Sequence, residues 1–311
     1  MRILFMGSCA FSLAVLRVLA EGGMEFVGVF TAPPRAKGRG GKIQKTCIHT
    51  YAEAQSWPVM TPTSLRKPEI LDVLKTLALD LVIVASYGFI LPEKVLAIPR
   101  HGCLNVHPSL LPRWRGASPV PFALLMGDVT TGVSVMKMDA GMDTGPLLAQ
   151  DSFSIPPDLS CANLSETLAK RGGEMLLEVI PNYCAGKLLP YPQHAQGITL
   201  TTKLTKEMGI LSWDDPAMVQ VQKIRALNPW PGTWGMISHA GTQMRVQILQ
   251  AKAEDRGEIM PEGNPGLLIW NKKKWGILCG DQRVLIPIQV KLEGGKPLSA
   301  EDFANGFLKG K

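Results

Sequence analysis

The chain has 311 residues, of which 46% are hydrophobic and 19% charged, enough apolar mass for two cores and too little charge for a disordered chain. No apolar run reaches the ~18 residues of a membrane-spanning helix, and six scattered cysteines without a Cys-x-x-Cys pair point to reduced thiols, not to a disulfide framework or a zinc site. The net charge of +7 admits an anionic partner, nucleic acid first, without requiring one.

The opening "MRILFMG" is an apolar run closed by Gly7. It is too short for a secretory signal and reads as a first strand, so a cytoplasmic protein is expected. "FSLAVLRVLAEGG" has helical spacing and stops at Gly22-Gly23; "EFVGVFT" is again β-branched and apolar. Strand, helix and strand in so few residues make a βαβ unit and a parallel sheet. Helices are expected in "HTYAEAQSW" and "KPEILDVLKTLA". "LDLVIVAS" is a continuous apolar strand, as when both faces are covered, and "GCLNVH" is the next strand. A short helix, "PVPFALLMGD", precedes the strands "GVSVMKM" and "PLLAQDSFSI", and a helix over 159–182 follows. "LLPYPQHAQGITLTT" is polar, with two prolines and no charge, and reads as a linker. "KEMGILSWDDPAMVQVQKIRAL" is expected as one helical passage after a turn. Short alternating runs separated by Gly, Asn and Asp turns then indicate a small barrel. The expected division is an α/β domain over 1–189, a linker over 190–205 and a small β domain over 206–311.

Asn105 and His107 end the strand "GCLNVH". A spacing of two puts them on one face, and ligands of a parallel sheet lie beyond the carboxyl ends of its strands. An amide and an imidazole there can stabilise an oxyanion, and the imidazole can move a proton. The pair reads as readily as a satisfied core histidine and a turn-forming asparagine. The loop "DAGMDTGP" adds Asp143 between Gly141 and Gly145, where backbone can approach a ligand. A carboxylate beside an imidazole orients the ring and favours its cation, although in isolation Asp143 is an ordinary hairpin residue. "GSCAFS" lacks the spaced glycines of a dinucleotide fingerprint, and "AKGRGGKI" has Ala36 and Ile43 where a P-loop needs Gly and Ser or Thr. Neither a nicotinamide cofactor nor ATP is expected. The segment 31–46 carries Arg35, Lys37, Arg39, Lys42 and Lys45 with no acid. Its glycines and prolines disfavour a helix, so it reads as a mobile basic loop able to wrap phosphates, or as a solvated loop with no partner.

Together these segments resemble the methionyl-tRNA formyltransferase family. The resemblance rests on "RILFMG", "RAKGRGGK", "ASYGFILP", "LNVHPSLLPRWRGASP", "TGVSVMKMDAGMDTGPLL", "KLTKEMGILSW" and "IRALNPWPGTW", and spans nearly the whole chain. It implies a Rossmann-like formyltransferase domain with a parallel-rich sheet, followed by an OB-like β-barrel that binds tRNA. It implies 10-formyltetrahydrofolate as donor, the α-amine of methionyl initiator tRNA as acceptor, and no metal. Catalysis falls on Asn105, His107 and Asp143, and folate binding on Ser109, Leu110, Leu111 and Pro112. tRNA contact falls on the 31–46 loop through Arg35, Lys37, Arg39 and Lys42. A monomer without membrane association is expected. One departure is visible: where relatives usually read Gly-Thr-Pro-x-Phe-Ala, this chain reads "GSCAFS", Gly7 to Ser12. Three rivals remain open: a sugar-nucleotide formyltransferase or formyltetrahydrofolate hydrolase of the same clan, a non-catalytic RNA-binding protein, and a dehydrogenase.

Overall fold

A βαβ unit does open the chain: β1 (Ile3–Gly7), α1 (Ala10–Glu21) and β2 (Phe26–Phe30). The computed structural model describes residues 1–37, 41–255, 263–271 and 274–308. Helix α1 buries Phe11, Val15, Leu16 and Leu19, a helical stripe, and ends at Gly22. β3 (Arg35–Lys37), β4 (Lys42–Gln44), α2 (Cys47–Ala54), β5 (Val59–Met60), α3 (Pro68–Thr76), β6 (Leu81–Ala85) and α4 (Glu93–Leu96) follow. Then come β7 (Cys103–His107), β8 (Arg115–Gly116), α5 (Pro119–Leu125), β9 (Thr130–Lys137), β10 (Leu147–Ser154), α6 (Cys161–Cys184) and β11 (Leu200–Thr201).

The main sheet has seven strands in the order β10-β9-β7-β6-β1-β2-β5. β1 pairs in parallel with β2 and β6, β6 with β7, and β2 with β5. β9 runs antiparallel to β7, and β10 to β9. Every residue of β1, β6 and β7 is buried, as the unbroken apolar runs of β1 and β6 require, and β7 buries Asn105 and His107 with its apolar residues. β10 is buried at Leu147 and Leu148 and then alternates half-buried and exposed residues, the mark of an edge strand. Gly172 breaks the helical preference of α6 at a cost of ~1 kcal/mol. A Cβ there would collide with the Val106 side chain and touch Val133, so glycine lets α6 press on one face of β7 and β9. Pleat parity then turns Asn105 and His107 to the other face.

Two compact units emerge. One comprises 1–119, 130–155 and 164–201; the other comprises 120–129, 156–163 and 202–311. In the second, α7 (Ala217–Leu227) precedes β12 (Trp234–His239), β13 (Thr242–Glu254), β14 (Leu268–Asn271), β15 (Lys274–Leu278), β16 (Val284–Leu292), β17 (Leu298–Ser299) and α8 (Ala300–Phe303). Its antiparallel sheet runs β12-β13-β16-β15-β14 with β17 on β16, and β14 returns beside β12, so it nearly closes into a barrel. Ile224, Ile237, Ile248, Trp275, Ile277 and Phe303 fill it. The passage expected as one helix is helical only from Ala217, with a short 3₁₀ turn at Glu207–Gly209 before it. Pro216 is the reason: it holds φ near −59° at the N-cap and follows two aspartates that favour a turn.

Candidate active site

His107, the last residue of β7, is 4% exposed and Asn105 8%. The His107 Nε2 lies 2.9 Å from the Trp114 carbonyl. A carbonyl only accepts, so Nε2 must carry its proton and donate. That leaves Nδ1, which faces the Asp143 Oδ1 at 3.7 Å. The other Asp143 oxygen accepts from the Gly116 N–H at 2.8 Å. The Asn105 amide has no hydrogen-bond partner among the described residues. Neither polar atom of that amide is sealed from solvent, so it is open to a ligand on the His107 face of β7.

Two residues of this cluster have left-handed backbone: Trp114 with φ 60° and Asp143 with φ 53°. Such conformations cost ~1–3 kcal/mol outside glycine and persist where neighbours impose them. The Trp114 N–H donates to the Thr199 Oγ1 at 2.8 Å, and its ring lies under the Arg113 guanidinium at 4.1 Å. β8, the next two residues, pairs in parallel with β11. The strain turns the Trp114 carbonyl onto the imidazole.

The 108–112 run is tied down from within. Ser109 is fully buried; its hydroxyl donates to the Arg113 carbonyl at 2.6 Å. The Ser134 hydroxyl donates to the Ser109 carbonyl and accepts from the Leu111 N–H, and the Gln150 amide donates to the Leu111 carbonyl. Leu111 packs in a core cluster with Met136 and Leu147, while Leu110 and Pro112 are half-buried. The Leu111–Pro112 peptide is cis. The "DAGMDTGP" loop is closed likewise: Asp139 accepts from the Gly141 N–H and the Thr144 hydroxyl. Its glycines make close approaches inside the protein: a Cβ at Gly145 would strike the Lys137 carbonyl, and one at Gly141 the Thr144 side chain.

The unusual Gly7–Ser12 turn is held by its two serine hydroxyls. The buried Ser12 hydroxyl donates to the Ala85 carbonyl at 2.5 Å and accepts from the N–H groups of Ser8 and Cys9. The Ser8 hydroxyl donates to the Tyr87 carbonyl and accepts from the Ala32 N–H. Two serines thus lace the ends of β1, β2 and β6 together.

The basic segment, read from sequence as a mobile loop, forms a two-stranded antiparallel ribbon, β3 against β4. Arg35 and Lys42 are exposed, and the Lys37 backbone pairs with Lys42; Arg39 and the Lys37 side chain lie outside the described residues. The ribbon's base is fixed by a 2.8 Å bond between the Thr31 and Thr46 hydroxyls and by Lys45, which pairs with Glu53 at 2.6 Å. That bond holds the Glu53 carboxyl below its ordinary value.

Sequence reasoning missed Ser134, Gln150, Gln193, Thr199 and Thr201. The last three lie in the stretch expected as a linker, yet they bond to the site's own segments: Thr201 accepts from the Ser118 N–H, Thr199 from Trp114. A stretch of uncharged polar residues beside prolines was the available signal. Among the described residues no group of three or more His, Cys, Asp or Glu is placed to hold a metal ion, and no helix is long and apolar enough to cross a membrane.

The chain also resembles known proteins along its whole length. Residues 1–180 match the profile of the family "Formyl transferase" and residues 203–308 that of "Formyl transferase, C-terminal domain". A methionyl-tRNA formyltransferase of Paramagnetospirillum magneticum (strain ATCC 700264 / AMB-1) is 40% identical over 307 residues, covering 98% of this chain and 97% of the relative. One from Rickettsia bellii (strain RML369-C) is 38% identical, covering 99% and 97%. Among solved structures, a variant of HypX from Aquifex aeolicus superimposes with a TM-score of 0.66 at 20% identity, covering 100% of this chain and 48% of HypX. This chain therefore spans about half the length of HypX, and the likeness is one of fold.

Proposed function

Because the chain belongs to the methionyl-tRNA formyltransferase family, we propose that Asn105, His107 and Asp143 perform its formyl transfer, with 10-formyltetrahydrofolate as donor. The activity is transfer of a formyl group to the α-amine of methionyl initiator tRNA, giving formylmethionyl-tRNA for translation initiation. One observation above all supports the assignment of roles: an Asn105 amide without a protein partner and open to solvent, on the same strand face as an imidazole whose second nitrogen faces a carboxylate.

The donor supplies an electrophile, a formyl carbonyl on N10. Asn105 donates an amide N–H to the formyl oxygen as negative charge gathers there; one such donor contributes ~2.7–4 kcal/mol to lowering a barrier. His107 works through Nδ1, because the Trp114 carbonyl holds Nε2. Protonated at Nδ1, it gives the developing charge a second hydrogen bond. Asp143 keeps the ring in place and takes up, directly or through one water, the proton that the attacking amine must lose; collapse of the tetrahedral intermediate then breaks the formyl C–N10 bond, and that proton passes to N10 as tetrahydrofolate leaves. Leu110 and Pro112, half-buried on a loop clamped by Ser134 and Gln150, form the wall of the folate cleft; Ser109 and Leu111 shape that wall from behind.

Arg35, Lys37, Arg39 and Lys42 meet tRNA phosphates, and the small β domain over 206–311 adds tRNA contacts. Such binding weakens steeply with salt. The protein acts as a cytoplasmic monomer. The roles are tested by transfer of labelled formyl from 10-formyltetrahydrofolate to methionyl initiator tRNA, in single turnover with saturating tRNA. Asn105→Ala, His107→Ala and Asp143→Ala should each lose rate. Near-wild-type rates in all three would overturn the assignment.

A further inference from the structure

We propose that Gln193 is a positioning residue for formyl transfer, holding the Asp143 loop and the Arg115 strand in the register that His107 requires. The inference rests on the roles assigned above to His107 and Asp143.

Gln193 is half-buried, and every polar group of its amide is engaged. Its Oε1 accepts from the Arg115 Nε at 3.1 Å and Nη2 at 2.7 Å. Its Nε2 donates to the Asp143 carbonyl at 2.9 Å and the Gly145 carbonyl at 2.8 Å. The orientation of the amide is forced. A guanidinium only donates and a carbonyl only accepts, so the reversed amide would face four mismatched groups. Gln193 thus grips both segments flanking the imidazole. On one side Trp114, just before Arg115, offers its carbonyl to Nε2; on the other Asp143 faces Nδ1.

The Asp143 loop needs such a grip. Its φ of 53° is unfavourable for aspartate, and its carbonyl is one of the two that Gln193 holds. The Gly116 N–H, one residue beyond Arg115, bonds the Asp143 carboxylate. Gln193 and Gly116 therefore fix the backbone and side-chain ends of the same aspartate. A carboxylate 3.7 Å from Nδ1 has little tolerance for drift, and small displacements of reacting groups cost rate far more than binding. The same geometry gives Arg115 a structural partner: two of its guanidinium nitrogens are engaged by Gln193.

The test uses the full chain carrying Gln193→Ala or Gln193→Glu, with Asp143→Asn as reference. Gln193→Glu is nearly isosteric and keeps the acceptor for Arg115, but it cannot donate to the two loop carbonyls. Both Gln193 variants should lose at least about tenfold in single-turnover rate at saturating substrates, with KM for tRNA and donor within about twofold of wild type. Asp143→Asn should cost less in the Gln193→Ala background than alone, because the two act through one group. If Gln193→Ala fails to fold, Gln193→Glu carries the test. A wild-type rate in Gln193→Glu, or a loss confined to KM, overturns the inference while Asp143→Asn remains slow. If Asp143→Asn is itself as fast as wild type, the catalytic assignment falls and this inference with it.

Discussion

Two segments leave the carboxyl edge of the same sheet and are built in opposite ways. The run after β7, residues 108–116, spends its polar groups internally: Ser109, Trp114 and Gly116 each bond to a named partner. In the run after β2, residues 31–46, the described side chains bond at its base through Thr31, Thr46 and Lys45, while Arg35 and Lys42 on the β3–β4 ribbon are exposed to solvent. The first arrangement is preorganised, as a group that stabilises a transition state must be. The second offers charge on an anchored ribbon, which suits a large polyanion met by many weak contacts. Rate should therefore depend on the first segment and tRNA affinity on the second.

The largest effect should come from breaking the preorganised side. His107→Ala or Asp143→Ala should lower kcat by ~10²–10⁴-fold, the span of a general acid–base group, with KM for tRNA little changed. Asn105→Ala should cost ~10²–10³-fold in kcat, as for one lost oxyanion donor. If either change acts on KM alone, the division between the segments fails. On the ribbon side, Arg39→Ala should raise KM for tRNA or lower kcat/KM without harming folate binding, and should flatten the salt slope by about one. Intermediate in kind is Thr199→Val, which strips the acceptor from the Trp114 N–H. It should lower stability by ~1–3 kcal/mol in urea unfolding, the cost of one buried unpaired donor, with a partial loss of kcat as the Trp114 carbonyl relaxes.

The smallest expected effect is alkaline. Burial pushes the Cys103 thiol from 9.0 up to about 12 and the Cys279 thiol to about 11. Above pH 9 the unfolded chain releases these protons while the folded chain keeps them, so the fold binds more protons and loses stability as pH rises. Unfolding midpoints should fall between pH 9 and 11, and Cys103→Ala should reduce the slope. At pH 8 iodoacetamide should label the exposed Cys9 and Cys47 well before Cys103.

What the residues disclosed follows the same divide. The parity of Asn105 and His107 was legible because β7 is a short, continuously buried strand, where a spacing of two has one geometric meaning. Asp143 was not legible from spacing, since only the fold closes the 36 positions between it and His107; its Gly-flanked loop marked it as a candidate, and the family resemblance gave it a role. The β3–β4 ribbon was hidden because its pairing lies among glycines and prolines with no apolar alternation to mark it. Gln193 and Thr199 were hidden for another reason. A segment that serves other segments through neutral amide and hydroxyl groups has neither periodicity nor charge, and so resembles a linker. Pro216 and its preceding aspartates did announce a late helix start, and the apolar run around them masked the signal.

The most direct test sets the two segments against each other in one assay. Formyl transfer from 10-formyltetrahydrofolate to methionyl initiator tRNA is followed in single turnover at saturating tRNA for Asn105→Ala and for the double variant Arg35→Ala/Lys42→Ala. The account predicts that Asn105→Ala stays ~10²–10³-fold slow at saturation, while the double variant reaches the wild-type rate once tRNA is raised. A full rate in Asn105→Ala, or a slow rate in the double variant that added tRNA does not restore, would contradict it.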